Sequence, residues 1–310
     1  MAKIVIALGG NALGNSPDEQ RELVKIPAAK IANLTKLGHD VIVGHGNGPQ
    51  VGMIYNTFAN ANTLNPKSPK VEFPESGAMS QGYIGLHLVT AVSNELKKLN
   101  IDKDVVYFLT QTIVDEHCSS FDNPSKPVGP FYNNQKDCEE SNPNSRVIDD
   151  AGRGWRKVVA SPIPHDFVGI RTIKKNVDNK ALVIVGGGGG VPTIIKNNQY
   201  VPVDGVVDKD FALAKIAEKV DADVLVVLTG VDYVYVNYNK PDQKKLEKAT
   251  VKELEQYIKE NQFAPGSMLP KVQAAIQFVK SKPGREAIIA DLLKVEDALN
   301  GKSGTKVVLE

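Results

Sequence analysis

Residues 181–192 read ALVIVGGGGGVP, an apolar and mostly β-branched run that stops abruptly in five glycines. No polar residue alternates with the apolar ones. An extended segment of this kind is dry on both faces, as a strand is inside a parallel sheet covered by helices on either side. Six further runs share the character: KIVIAL, DVIVG, VVYFL, VLVVLTG, EAIIA and TKVVLE. Helix-length segments separate most of them. Thr250 and Glu253 stand at capping-box spacing, and Pro270 opens a segment in which Val272, Ala275, Ile276 and Val279 recur at helical intervals. Strand alternating with helix predicts an α/β protein with a mainly parallel central sheet and helices on both faces.

Three glycine-rich turns follow predicted strands: Gly9, Gly10 and Asn11; Gly46, Asn47 and Gly48; and the run 186–190. In a parallel sheet all three gather at the carboxyl edge, where α/β proteins bind ligands and where glycine lets backbone N–H groups approach an anion. Three such loops read as a phosphate cradle. The common nucleotide fingerprints are missing, however. GKS at 301–303 has Glu296 where a Walker A loop needs glycine, and no loop fits G-x-G-x-x-G, which disfavours a dinucleotide dehydrogenase. The five histidines are scattered without metal-ligand spacing; His45, inside a glycine loop, is the one whose surroundings matter.

The chain carries 37 Lys plus Arg against 36 Asp plus Glu, a net charge of +1, so its overall balance selects neither nucleic acid nor an anionic membrane. Cys118 and Cys138 are too few for a disulfide framework and suit a reducing, cytoplasmic setting. No stretch has the length of a spanning helix or a signal-peptide core. From about residue 115 to 160 the rhythm breaks into Pro, Asn, Gly, Asp and Ser with no helix-length apolar face. Phe121, Phe131, Tyr132 and Trp155 argue that this is an ordered, inserted flap and not a disordered linker.

A phosphate cradle without a Walker lysine needs cations from elsewhere. Lys126 lies in SKPVGPFY, Lys209 between two aspartates in DKD, and Lys271 in the first turn of its helix, where the dipole disfavours an ammonium unless an anion binds nearby. Asp208 and Asp210 fit an N-cap and a first-turn acid. Asp210 could also hold two convergent lysines, each acting on a phosphoryl charge at 4 Å with roughly 4 kcal/mol in partly dry surroundings.

With these residues in view, the sequence resembles the carbamate kinases of the amino-acid kinase family. ALGGNAL, GNGPQVG, GAMSQGYIG, KPVGPFY, WRKVVASPIP, GGGGGVP, GVVDKDFA and GSMLPKVQAAI occur in family order along nearly the whole chain. The resemblance implies an open αβα sandwich forming one domain over 1–310, with a carbamate and phosphoryl lobe over 1–180 bearing the flap and a nucleotide lobe over 181–310. It implies a cytoplasmic homodimer that moves a phosphoryl group between Mg-ATP and carbamate, giving ADP and carbamoyl phosphate, commonly run toward ATP at the end of arginine breakdown. Mg2+ would be carried by the nucleotide, with no dedicated protein ligands. Gly9, Gly10 and Asn11 would contact the phosphoryl group, and Gly46, Asn47 and Gly48 would line the carbamate side. Lys209 and Lys271 would stabilise charge, Asp210 would position them, and Lys126 would reach in from the flap. Gly187, Gly188, Thr229, Asp232, Tyr238, Ser267 and Met268 would serve the nucleotide.

Two departures stand out. Leu269 precedes Pro270 where the family more often has glycine, and Thr193-Ile194 follows the glycine run in place of small apolar residues; neither removes a charge. Kinases of acetylglutamate or UMP share the lysine logic but not the KPVGPFY flap, and a silent nucleotide sensor would not need Lys126, Lys209, Asp210 and Lys271 intact.

Overall fold

The computed structural model describes residues 1–9, 13–14, 16–143, 145–150 and 152–310. All seven apolar runs lie in one eight-stranded sheet. Its spatial order is Lys248–Thr250, Thr305–Val308, Glu286–Asp291, Val224–Thr229, Lys3–Leu8, Asp40–His45, Leu182–Ile184 and Val105–Tyr107. Neighbours are parallel throughout except Glu286–Asp291 against Thr305–Val308. Leu182–Ile184 sits between two strands of the first half of the chain, although it follows residue 180 in sequence.

The lack of alternation in these runs now has its physical cause. Val5, Ala7, Leu225 and Val227 point into one core, packed with side chains of the helices Lys209–Lys219, Val251–Lys259 and Met268–Lys280. Ile4, Ile6, Leu8, Val226 and Leu228 point into the opposite core, against the helices Lys25–Lys36 and Phe73–Lys98. Both faces are buried, so both side-chain sets must be apolar. The result is the αβα sandwich, in which chain order reverses direction on either side of Lys3–Leu8. Loops after Lys3–Leu8 and Val224–Thr229 therefore diverge and leave a crevice at the carboxyl edge of the sheet.

A second sheet, ordered Gln199–Pro202, Val191–Lys196, Gln111–Val114 and Pro164–Phe167, carries the flap. Residues 115–163 leave from Gln111–Val114 and return into its antiparallel neighbour Pro164–Phe167, with Val114 opposite Pro164. The excursion holds its own three-stranded antiparallel sheet of Lys126–Tyr132, Trp155–Val159 and Val147–Asp149, with the helix Gln135–Ser141. Asp150 accepts from both Arg153 and Arg156, and the Arg156 guanidinium lies over the Phe131 ring at 4.6 Å. Val128 and Val159 join Val51 and Phe73 in a small apolar cluster that seats the flap on the helices Gly48–Leu64 and Phe73–Lys98. Among the described residues no helix is long and apolar enough to cross a membrane.

Candidate active site

Asp208 caps the helix Lys209–Lys219 by accepting from the Asp210 N–H at 2.9 Å, which fixes the helix start at the crevice. Asp210, the second residue of that helix, is only 3% exposed. Its Oδ1 takes the Lys209 ammonium at 2.5 Å and its Oδ2 takes the Lys271 ammonium at 2.9 Å. Lys271 arrives on the neighbouring helix Met268–Lys280. The two helices pack against each other, and Ala212, Ala217, Ala274 and Ala275 on them are all buried. Lys126 reaches across from the flap and pairs with Asp208 at 3.5 Å. Lys126, Lys209, Asp210 and Lys271, from three separate stretches of sequence and expected to act together, thus form one charged group in which Asp208 links Lys126 to the rest.

The electrostatics follow from burial. Desolvation would raise the Asp210 carboxyl, but the two ammoniums outweigh it and hold the group below the ordinary carboxylate range, so it stays ionised. Burial lowers Lys209, with the like charge of Lys271 adding and Asp210 opposing. Charges this poorly solvated are held in place by each other, and an incoming phosphoryl group would meet two ammoniums already oriented.

On one side of this group a cavity of about 680 Å³ is lined by Gly9, Lys209, Asp210, Thr229, Ser267 and Lys271. It adjoins a second, of about 350 Å³, walled by Tyr235, Tyr238, Asn261, Phe263 and Met268, with Thr229 and Ser267 common to both. Ser267 precedes its helix without making a side-chain capping bond. Thr229, Tyr238, Ser267 and Met268 are therefore brought together as expected of a nucleotide site. Asp232 is not: it lines neither cavity and pairs with Lys294 at 2.7 Å on the surface.

A separate cavity of about 140 Å³, which meets the charged group through Lys126, is bounded by Asn47, Gly48, Lys126, Arg156 and Gly188. Gly187 and Gly188, expected with the nucleotide, pack here instead. A Cβ on Gly188, whose φ is +63°, would fall 2.1 Å from the Asn47 side chain, and one on Gly187 would fall 2.7 Å from the Tyr107 hydroxyl and 2.8 Å from the His45 ring. Glycine is required because the 186–190 loop closes directly on the 45–48 loop. Asn47 in turn donates to Ser80 at 2.8 Å, and the Gly46 N–H donates to the Leu8 carbonyl at 3.1 Å. Gly10 and Asn11 lie outside the described residues.

His45 is fully buried. Burial, reinforced by the nearby Lys209 charge and opposed by its hydrogen bond to Gly46, lowers its pKa from 6.5 to about 4. The unfolded chain takes up a proton near 6.5 and the folded chain does not until about 4. The stabilising contribution is thus fully present above 6.5 and is lost as pH falls toward 4, about 3 kcal/mol in all. Urea unfolding between pH 7 and pH 4 should show His45→Asn losing that much less stability than the wild type; equal losses would mean the ring does not titrate in this window.

Sequence reading missed three participants. Asp208 was legible as a cap but not as the partner of Lys126, because that pairing crosses the whole flap. Tyr107 is a lone hydroxyl in an apolar run, the one available hint. Arg156 lies in WRKVV beside other cations, and only the fold selects it.

No group of three or more His, Cys, Asp or Glu among the described residues could hold a metal ion. The acids at the crevice are committed elsewhere: Asp208 to its cap and Lys126, Asp210 to two lysines, and Asp291 to the Leu293 N–H at 2.7 Å.

Comparison with known proteins adds to the geometry. The profile of the amino acid kinase family matches residues 2–291. A carbamate kinase-like protein of Mycoplasma pneumoniae is 57% identical over 308 residues, 99% of this chain and all of that protein. A carbamate kinase of Staphylococcus haemolyticus is 46% identical over 308 residues, 99% of both chains. Among solved structures, carbamate kinase from Giardia lamblia bound to AMP-PNP superposes with a TM-score of 0.93 at 42% identity, covering 99% of this chain and 98% of that one. UMP kinase from Bacillus anthracis, at 16% identity and a TM-score of 0.54 over 100% of this chain and 96% of its own, shares the fold alone. The chain belongs to the amino acid kinase family and, within it, to the carbamate kinases, which are phosphotransferases.

Proposed function

We propose that this protein catalyses reversible phosphoryl transfer between Mg-ATP and carbamate, giving ADP and carbamoyl phosphate. The observation that carries the reading is the buried carboxylate of Asp210 gripping Lys209 and Lys271 on the wall of a large cavity, with Lys126, paired to Asp208, on the wall of a small one. The larger side, with Thr229, Tyr238, Ser267 and Met268, takes the nucleotide. The smaller, with Gly46, Asn47 and Gly48, takes carbamate, and Gly9, Gly10 and Asn11 meet the phosphoryl group between them. Gly187 and Gly188 shape the carbamate side. On this reading one domain holds an acceptor lobe over 1–180, joined by Leu182–Ile184 and the 186–190 loop, and a nucleotide lobe over the remainder.

A carbamate oxygen already carries negative charge, so its attack on the γ-phosphorus needs no strong general base. Positioning and charge neutralisation supply most of the acceleration. Lys209 and Lys271 share the charge spreading over the transferring group, Asp210 keeps them convergent, and Lys126 closes from the flap. Mg2+, when bound, neutralises nucleotide phosphate charge, and the committed state of the nearby acids fits an ion held by phosphate oxygens. From the family resemblance we assign the ATP-forming direction, fed by carbamoyl phosphate from arginine breakdown, to a cytoplasmic homodimer.

The test is ATP formation from ADP and Mg2+ with carbamoyl phosphate as the phosphoryl donor, run beside acetylglutamyl phosphate and beside UDP as alternative donors. Turnover with carbamoyl phosphate and ADP alone is expected. Preference for either alternative would reassign the substrate, and none with any would leave a nucleotide-binding protein without this activity.

A further inference from the structure

His45 ends the strand Asp40–His45 two residues before Asn47, which bounds the small cavity, yet it lines none of the cavities described above and both its nitrogens are engaged. Nδ1 lies 2.9 Å from the Gly46 carbonyl oxygen and Nε2 lies 2.9 Å from the Tyr107 hydroxyl. A carbonyl can only accept, so Nδ1 carries the hydrogen; in the neutral ring Nε2 is then a lone pair, and Tyr107 donates to it. The two bonds therefore define one tautomer.

The Gly46 carbonyl thus points into the protein. No peptide bond in the described chain is cis. In a trans peptide the C=O and the following N–H project in opposite directions, so the Asn47 N–H is turned away from the buried ring. That N–H opens the helix Gly48–Leu64 on the loop bounding the small cavity. The 186–190 loop adds a second constraint, since Gly187 closes on the same His45 ring and Tyr107 hydroxyl.

We propose that His45 is a positioning residue for the carbamate end of the reaction, which through its Nδ1–H bond to Gly46 and its acceptance from Tyr107 sets the direction of the Gly46–Asn47 peptide. This rests on the reading of the small cavity as the carbamate side. The residue touches no reactant; it aims a backbone donor that does.

The experiment contrasts two replacements in the full-length protein. Asparagine places an amide N–H where Nδ1 stood, whereas glutamine places its amide near Nε2 and removes the donor to Gly46. His45→Gln is expected to raise KM for carbamoyl phosphate roughly tenfold, the worth of one well-placed hydrogen bond, with KM for ADP unchanged. His45→Asn is expected to restore most of that loss. A merely structural role would lower kcat through a smaller folded fraction and leave both KM values alone, and that result overturns the proposal. So would equal KM changes for both variants. Nitrogen NMR of the wild type, labelled at its five histidines and assigned by loss of the His45 signal in His45→Asn, should show the Nδ1–H tautomer; an Nε2–H tautomer or an imidazolium at neutral pH overturns it even if His45→Gln fails to fold. Absence of wild-type turnover would instead sink the reaction assignment, and the tautomer measurement would still decide for or against His45.

Discussion

Lys271→Ala is expected to lower kcat for carbamoyl-phosphate-dependent ATP formation by at least about a hundredfold, the usual result of deleting a donor aimed at developing transition-state charge. The expectation follows from the placement of this ammonium, 15% exposed at the side chain, fixed by Asp210 at 2.9 Å and facing the larger cavity. A side chain so positioned before substrate arrives spends little reorganisation when charge appears. KM for ADP should change far less than kcat, because the charge that Lys271 meets grows during transfer. Near-wild-type turnover in the variant would remove Lys271 from the chemistry.

The largest loss should come from Asp210→Asn, on the order of a thousandfold in kcat, because a single change releases both lysines. Volume and shape are kept, so the defect is one of charge. Without the carboxylate, two ammoniums face each other with nothing between them. Lys209, already lowered by burial and by Lys271, falls further. Its charged form is then lost at a lower pH than in the wild type and is regained on acidification. Activity of Asp210→Asn should therefore rise as pH falls, while the wild type, in which Asp210 opposes loss of the Lys209 proton, lacks that rise. A pH-rate profile for the variant that parallels the wild type would show that Asp210 does not govern lysine charge.

The seven strand runs were legible because burial on both faces leaves a local signature, an unbroken apolar string. Lys248–Thr250 was not, since a three-residue edge strand that buries only Ala249 carries no such signature. The charged group was legible by a different route. Each of Lys126, Lys209, Asp210 and Lys271 was odd in its own surroundings, and a resemblance over the whole chain joined them. Where sequence reading faltered, the relevant quantity was a distance across the fold. Gly187 and Gly188 look like any phosphate loop until Asn47 and His45 are seen pressed against them. Asp232 looks well placed, one residue from Val231, until its side chain is seen turned out to Lys294.

The stems of the flap stand side by side, with Val114 paired to Pro164. An appendage rooted at adjacent points adds no strand to the main sheet, so its length can be rewritten without disturbing that sheet's register. Flap and sheet are thereby separable in inheritance: a chain built this way can take a new excursion between the same stems so long as the replacement again sets a cation opposite Asp208 and an apolar seat on Val51 and Phe73.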